Sequence, residues 1–271
     1  MVAISELNGD LLVEGLTRTS LTLLRLSRLR QVLPRFPNLV SFQTSGPYFE
    51  EADLVFIAQI CPKLETIDLS TAQHGAGLLP ENGLCGLLRG GVLPKLSKVS
   101  VRGRWRVATA RWGRCTKTLN TLVLADCKGI TDLGLSHLQN FRFLEELNLK
   151  GCYVTDTGVI SAISPDRSFK KLNLANMHLS DQSMAFVAEN CPNLEILELS
   201  SSHVTGAGVR AFYGHRCLQS LVLRWCPEFF WSDIEHMVLG CKSLKSVLLS
   251  KPPMHSVPES VSRIVSLIGE G

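Results

Sequence analysis

Cysteine and histidine are the residue types in this sequence with the most reactive side chains. The chain has nine cysteines and seven histidines in 271 residues. Zinc sites draw their ligands from closely spaced cysteine and histidine pairs, yet no Cys-x-x-Cys pair occurs here and the histidines are scattered. The spacing therefore predicts reduced, buried cysteines that act as small apolar residues, with no metal ligand and no cofactor.

Aspartates that directly follow hydroxyl residues are a second set of side chains that could take part in catalysis or binding. Thr131-Asp132, Thr155-Asp156 and Ser180-Asp181 recur after similar intervals. A hydroxyl residue can cap the amino terminus of a helix, and the following carboxylate suits the positive end of the helix dipole. No nucleophile elbow, phosphate loop or zinc-protease helix accompanies them. The sequence thus predicts helix caps, no catalytic residue and no enzymatic activity.

Positive charge is concentrated in one segment of the chain. Residues 82–125 contain nine lysines and arginines and no acidic residue, whereas the whole chain has a net charge of +4. Tryptophans among arginines can stack on nucleobases or anchor an acidic partner; the alternative is that they fill the gap left by a short repeat. The basic patch consists of Arg104, Trp105, Arg106, Arg111, Trp112 and Arg114.

The elements that position these residues recur six times between Leu119 and Leu249. Each unit has the apolar pattern Leu-x-x-Leu-x-Leu, and the units begin at Leu119, Leu144, Phe169, Leu194, Leu218 and Leu244. This period is typical of leucine-rich repeats. Each unit predicts a short strand, a polar turn and a returning helix, and neighbouring units must stack to bury their apolar faces. The sequence predicts an α/β leucine-rich-repeat solenoid, a horseshoe of parallel strands with outer helices.

The same pattern extends upstream in degenerate form. Units that begin at Leu39, Leu64 and Leu96 bring the total to about nine. We therefore predict an N-terminal helical cap over residues 1–38, repeats over 39–251 and a C-terminal cap helix and tail over 252–271. The predicted cap helices cover residues 21–33 and 259–268. No run of eighteen apolar residues and no signal peptide is evident, so we expect a cytoplasmic or nuclear protein without a membrane contact.

Six cysteines hold fixed places in the repeats. Three follow the last strand leucine by three residues and three precede the first by three: Cys127, Cys152, Cys226, Cys61, Cys191 and Cys241. Together with the Ile/Val-Thr-Asp-x-Gly sequence after the strand, this pattern resembles the cysteine-containing repeats of plant-like F-box/leucine-rich-repeat proteins. The resemblance covers residues 36–250. It implies substrate recognition in an SCF-type ubiquitin ligase and ubiquitin-dependent protein degradation.

The residues before the repeats depart from that family. An F-box opens near a Leu-Pro pair and closes near Cys-x-x-Trp, and the only early Leu-Pro is Leu33-Pro34, directly before the first repeat. We therefore do not expect the usual binding to the cullin-linking adaptor. A family member that has lost the box and an incomplete gene model are both open explanations.

Strand alternation predicts which residues face a partner. The fourth and sixth residues of each motif point inward, so the third, fifth and seventh line the concave face of the horseshoe. The predicted protein-binding residues are Asp68, Lys98, Arg102, Glu146, Asn148, Lys150, Lys171, Asn173, Glu198 and Arg224. Because this face mixes both signs of charge, we expect a protein partner there. The alternatives are a regulatory or assembly scaffold without a ligase role, and nucleic-acid contact through residues 102–117.

Overall fold

The computed structural model of the protein describes residues 13–14, 20–23, 29–44, 50–71, 86–87, 92–104, 118–163, 168–200, 203–226, 229–250 and 257–267. The chain forms two compact units. The first comprises residues 1–130 and 140–143, and the second comprises residues 131–139 and 144–271. Within the described residues, both units are built from short strands and helices that alternate along the chain.

The strands of the first unit pair in sequence order. The strands are β1 (Val13–Glu14), β2 (Ser20–Leu23), β3 (Ser41–Thr44), β4 (Thr66–Asp68), β5 (Lys98–Ser100) and β6 (Thr121–Val123). β1 pairs antiparallel with β2, whereas β2 through β6 pair in parallel. The helices are α1 (Leu29–Val32), which continues into a 3-10 turn (Leu33–Arg35), and α2 (Glu51–Ile60).

The second unit repeats one strand and one helix with little variation. Its strands are β7 (Glu146–Asn148), β8 (Lys171–Ala175), β9 (Ile196–Ser200), β10 (Ser220–Arg224), β11 (Ser246–Ser250) and β12 (Val265–Leu267). They pair in parallel and in sequence order. The helices are α3 (Asp132–Leu135), with a 3-10 continuation (Ser136–Asn140), α4 (Asp156–Ala162), α5 (Asp181–Asn190), α6 (Gly206–Arg210) and α7 (Trp231–Gly240).

The core of each unit consists of the leucines that define the repeat. Equivalent positions on neighbouring strands face each other, as in the row Leu147, Leu172, Leu197, Leu221 and Val247. All five side chains are at most 3% exposed. Because no single strand could bury such a residue alone, the stacking of repeats removes the apolar surface from water.

The predicted cap helix over 21–33 is present only in part, as α1 (Leu29–Val32), with residues 24–28 outside the described residues, and no helix occurs over 259–267. Residues 20–23 form strand β2, because Leu21-Thr22-Leu23 also has the two-residue alternation of a strand and can add to the edge at β3. Residues 259–264 form turns, and Val265–Leu267 pairs with β11 as β12. In both places the open edge of a sheet accepts one more strand. No helix in the described part of the chain is long and apolar enough to cross a membrane.

Candidate functional site

In each unit the paired strands expose one surface, which we call the sheet face of that unit, and these surfaces carry the predicted protein-binding residues. All ten are fully or partly exposed: Asp68, Lys98, Arg102, Glu146, Asn148, Lys150, Lys171, Asn173, Glu198 and Arg224. Other positions of the same register are closed to solvent, among them Ser100, Ala125, Ala175, Ser200 and Val222. The surface open to a partner is therefore narrower than strand alternation predicts.

Charged groups on the sheet face of the second unit form contacts between neighbouring strands. Lys171 Nζ lies 2.6 Å from Glu146 Oε1, and this hydrogen bond raises the pKa of Lys171. Asn173 Nδ2 donates to Glu198 Oε2 over 2.6 Å. These pairs fix the charged groups in a defined pattern, although exposed ion pairs add little to stability.

Asparagine and aspartate at the fifth motif position also hold the end of their own strand. The side-chain oxygens of Asp68, Asn148 and Asn173 accept hydrogen bonds from the backbone N–H two residues later, over 2.9, 3.0 and 3.2 Å. Such side chains offer the backbone a local partner where the ladder ends. These three residues therefore have a structural role in addition to their exposure.

The loops between the strand ends and the next helices form a second surface of unit 2, which we call the rim. Tyr153, His178 and His203 occupy the same register position in three consecutive repeats and are all exposed. The rings of His178 and His203 stack, with centroids 6.0 Å apart and planes at 22°. Phe230, at the start of α7, is 73% exposed. Sequence reasoning missed this surface, although the shared register of the rings was visible.

Trp225 stands out on the rim because of its backbone conformation. The position two residues after the sixth motif residue is left-handed in several repeats, at Gly103, Asp126, Gly151, Asn176 and Trp225. Glycine, asparagine and aspartate tolerate this conformation, whereas a bulky residue is strained by it. Trp225 has φ = 56°, its N–H donates to Ser250 Oγ over 3.1 Å, and its side chain is 45% exposed.

The predicted helix-cap aspartates connect one repeat to the next. Asp181 Oδ1 accepts the backbone N–H groups of Thr205 (2.7 Å) and Gly208 (3.0 Å), and its Oδ2 accepts the Thr205 hydroxyl (2.6 Å). Asp132 binds the hydroxyl and N–H of Thr155 in the same way. A Cβ on Gly208 would collide with the Asp181 carboxylate. We call this set of contacts the aspartate ladder.

Asp156 forms the middle step of the aspartate ladder. It accepts the Ser180 N–H (3.0 Å) and hydroxyl (2.6 Å) and the Ser183 hydroxyl. Burial by itself raises the pKa of Asp156, but the hydrogen bonds from Ser180 and Ser183 outweigh burial and lower it below the ordinary value. The predicted caps are present only in part: the hydroxyls of Ser180 and Thr205 accept from their own helices, whereas those of Thr131 and Thr155 do not.

Arg104 does not belong to an exposed basic patch. Its side chain is fully buried, and its Nε donates to the backbone oxygen of Leu69 over 2.7 Å. Burial lowers its pKa to about 10. The sequence suggested an exposed group because arginine is mostly a surface residue, but a long side chain can reach an inter-repeat carbonyl. The remaining members of the patch, Trp105, Arg106, Arg111, Trp112 and Arg114, lie outside the described residues.

Arg102, next to this segment, is exposed on the sheet face. Its Nε lies 3.4 Å from a carboxylate oxygen of Asp126. An acidic group thus neutralises the one exposed arginine of residues 102–117 that the structure describes.

The described cysteines are thiols, and six of the seven are buried. Cys127 Sγ donates to the Val101 backbone oxygen over 3.1 Å, and Cys241 Sγ donates to that of His215 over 3.2 Å. Burial raises the pKa of Cys61 to about 11 and of Cys127 and Cys191 to about 12. Within the described residues no three metal-binding side chains come together. Cys127 and Cys241 therefore connect neighbouring repeats through thiol hydrogen bonds.

A family model supports the repeat assignment. The model described as "Leucine Rich repeat" matches residues 117–138, 142–161 and 190–212. The fold is a leucine-rich-repeat solenoid. A curated relative is similar over 140 residues at 26% identity: the Antagonist of mitotic exit network protein 1 of Candida albicans (strain SC5314 / ATCC MYA-2876). The match covers 41% of this chain and about a fifth, 21%, of that relative.

Solved structures share this fold at low sequence identity. The complex of Rad7 and Elc1 in yeast matches with a TM-score of 0.65 at 18% identity, over 87% of this chain and 66% of that chain. The TLR13–ssRNA13 complex matches with a TM-score of 0.62 at 21% identity, over 87% and 33%. Internalin C2 of Listeria monocytogenes str. 4b F2365 matches with 0.52 at 17% identity, over 81% and 84%. At these identities the similarity establishes the fold alone.

Proposed function

We propose that this leucine-rich-repeat scaffold recognises protein substrates for an SCF-type ubiquitin ligase, in the cytoplasm or the nucleus. The sheet face is the observation that carries the proposal, because it presents fixed charges of both signs. Such a mixed surface suits a folded partner better than a phosphate backbone, which requires an excess of positive charge. A scaffold has no need of a catalytic group, so we also propose that the chain is not an enzyme.

The ligase context rests on the repeat subtype. Cysteines at fixed register positions connect repeats in this chain through buried thiol hydrogen bonds, as at Cys127 and Cys241. The resemblance of this pattern to F-box/leucine-rich-repeat proteins supports a role in substrate selection. A solved neighbour, Rad7, has been captured together with Elc1, so this fold can serve inside an assembly. An assembly scaffold outside a ligase is the alternative.

Charge reversal on the sheet face tests the proposal. Lys150→Glu with Lys171→Glu should leave the fold intact, because exposed charges contribute little to stability, while partner co-purification should fall at least about tenfold because like charges across an interface are costly. Lys245→Glu, on an exposed residue before β11, is the matched control. A partner set that is unchanged in the double variant, but is lost when Arg106 and Arg111 are reversed, would contradict the proposal.

A second measurement separates the two scaffold roles. Partners that depend on Lys150 and Lys171 should accumulate, with longer half-lives, when the protein is depleted from cells. Stable partner half-lives together with intact binding would favour the assembly scaffold.

A further inference from the structure

We infer that the rim of unit 2 is a second recognition surface, which binds a short protein segment that carries acidic and apolar side chains. This inference rests on the proposed scaffold function and adds to it a surface that borders the sheet face and the chemistry of its partner. The observations are the exposed rings of the rim, the conformation of Trp225 and the distribution of charge around them.

The rim has the composition of a recognition surface. Tyr153, His178, His203, Trp225 and Phe230 expose five rings along one edge of four consecutive repeats. Aromatic residues and arginine are enriched at protein interfaces, where large rigid side chains bury area at a low entropic cost. Contact with solvent does not require aromatic side chains at the same register position of neighbouring repeats, because polar side chains are equally compatible with exposure there.

Trp225 occupies a position whose left-handed backbone disfavours a bulky residue. The equivalent positions have glycine, asparagine or aspartate, which suit the left-handed backbone. Ser250 Oγ accepts the Trp225 N–H, so a neighbouring repeat enforces the conformation. Strained residues that the surrounding structure holds in place concentrate at binding sites. The partly exposed indole at such a position is therefore the rim side chain that the inference places against the partner.

The charge of the rim fits an acidic partner. Lys150 and Arg224 lie on the sheet face where it borders the rim, in the first and the last of these four repeats, and neither forms an ion pair with another described residue. Glu228 lies outside the described residues, and no described residue between a strand end and the next helix on the rim is acidic. A carboxylate that approaches this edge therefore meets two free cations and no described like charge.

A protein segment fits the rim better than a nucleic acid. Residues 131–139 and 144–271 contain fourteen acidic and eleven basic residues, and binding of a polyphosphate depends on the neutralisation of many phosphates. From β7 to β10 the rim extends over three strand spacings, about 14 Å. Four to five residues of an extended peptide, at about 3.3 Å each, cover this length.

Selection from a displayed library of random dodecapeptides against the full chain tests the inference. We expect the enriched peptides to combine Asp or Glu with an apolar residue. Trp225→Asn and Arg224→Glu should each raise the Kd of these peptides at least about tenfold. Trp225→Asn should fold, because Asn176 already occupies the equivalent place at φ = 56°. The controls, Arg216→Glu before β10 and Leu239→Ala at an exposed position of α7, should leave the Kd unchanged within about twofold.

Three outcomes would overturn the inference. Peptides without acidic enrichment, or no enriched peptide at all, would remove the acidic partner. Peptides whose affinity falls with Lys171→Glu but not with the rim variants would place recognition on the sheet face and leave the proposed function standing. Salt-sensitive binding of a single-stranded 20-nucleotide RNA that is abolished by Trp225→Asn would assign the rim to nucleic acid instead.

Discussion

Arg104 shows that the environment of a single residue can differ from the one that its sequence neighbours suggest. The sequence places it among arginines and tryptophans, but the structure buries it against the Leu69 carbonyl. Charge counts along a chain do not report where a long side chain ends. The cysteines show the opposite case: their register alone predicted burial, because a position that recurs with the core leucines must face the same interior.

Thiol reactivity is a test at the residue scale. Iodoacetamide at pH 8 should label Cys217 in the native protein, because its side chain is partly exposed, while Cys61, Cys127 and Cys191 should stay unmodified until unfolding. The thiolate is the reactive form, and burial raises the pKa of these three to about 11, 12 and 12. Peptide mapping by mass spectrometry measures the labelling. Rapid native labelling of Cys127 would contradict the burial of the repeat core.

At the element scale, the existence and order of strands and helices followed from the repeat, whereas the contacts between repeats did not. Helices α4 and α5 begin where the predicted caps place them, at Asp156 and Asp181. The aspartate ladder joins these helix starts to the following repeats, and its hydrogen bonds connect residues 23 to 27 positions apart. A pattern read along one repeat cannot identify a partner in the next.

Removal of a ladder carboxylate should cost more than removal of an exposed one. Asp181→Ala leaves the N–H groups of Thr205 and Gly208 without their acceptor. We expect the free energy of unfolding to fall by about 2–4 kcal/mol. Glu189→Ala at an exposed position of the same helix should change it by less than about 0.5 kcal/mol. Equal costs in urea denaturation would show that the ladder contributes nothing.

Acid should weaken the ladder at Asp156. Its pKa is lowered in the folded state, so the folded protein binds fewer protons than the unfolded chain as the pH falls toward that of an ordinary carboxylate, 3.8. The stabilisation is complete above that pH and disappears as the pH falls through the lower folded value. Urea denaturation between pH 7 and pH 3 should show a smaller acid-induced loss for Asp156→Asn than for the wild type. Parallel curves for the two proteins would contradict this prediction.

At the scale of the whole molecule, stability should depend on neighbouring repeats. Leu147 and Leu172 face each other across β7 and β8, whereas Leu221 belongs to β10. Each change to Ala should cost about 2–5 kcal/mol. The pair Leu147 and Leu172 should deviate from additivity by at least about 0.5 kcal/mol, because the two cavities adjoin, while Leu147 with Leu221 should add within about that amount. Denaturant melts of the single and double variants measure both; equal coupling would rule out a nearest-neighbour stack.

The fold and the sheet face could be predicted from the sequence because the apolar pattern recurs, whereas the rim could not. Six copies of one apolar pattern average out local exceptions such as Phe169 and Val247. A recognition surface consists of such exceptions. Trp225 becomes recognisable as unusual only from the backbone, which is left-handed at Trp225 as it is at Gly151 and Asn176. Sequence reasoning therefore found the regular sheet face and missed the rim.

The aspartate ladder also bears on how this array can change its length. In each step a carboxylate at the start of one helix accepts hydrogen bonds from a hydroxyl and an N–H group of the following repeat. At Gly158 and Gly208 the absence of a side chain leaves space for that carboxylate. A repeat that contains both the accepting aspartate and the donating hydroxyl and N–H groups can be joined to another copy of itself. Gene duplication of one such unit would therefore create a junction that already has its acceptor, its donors and its space.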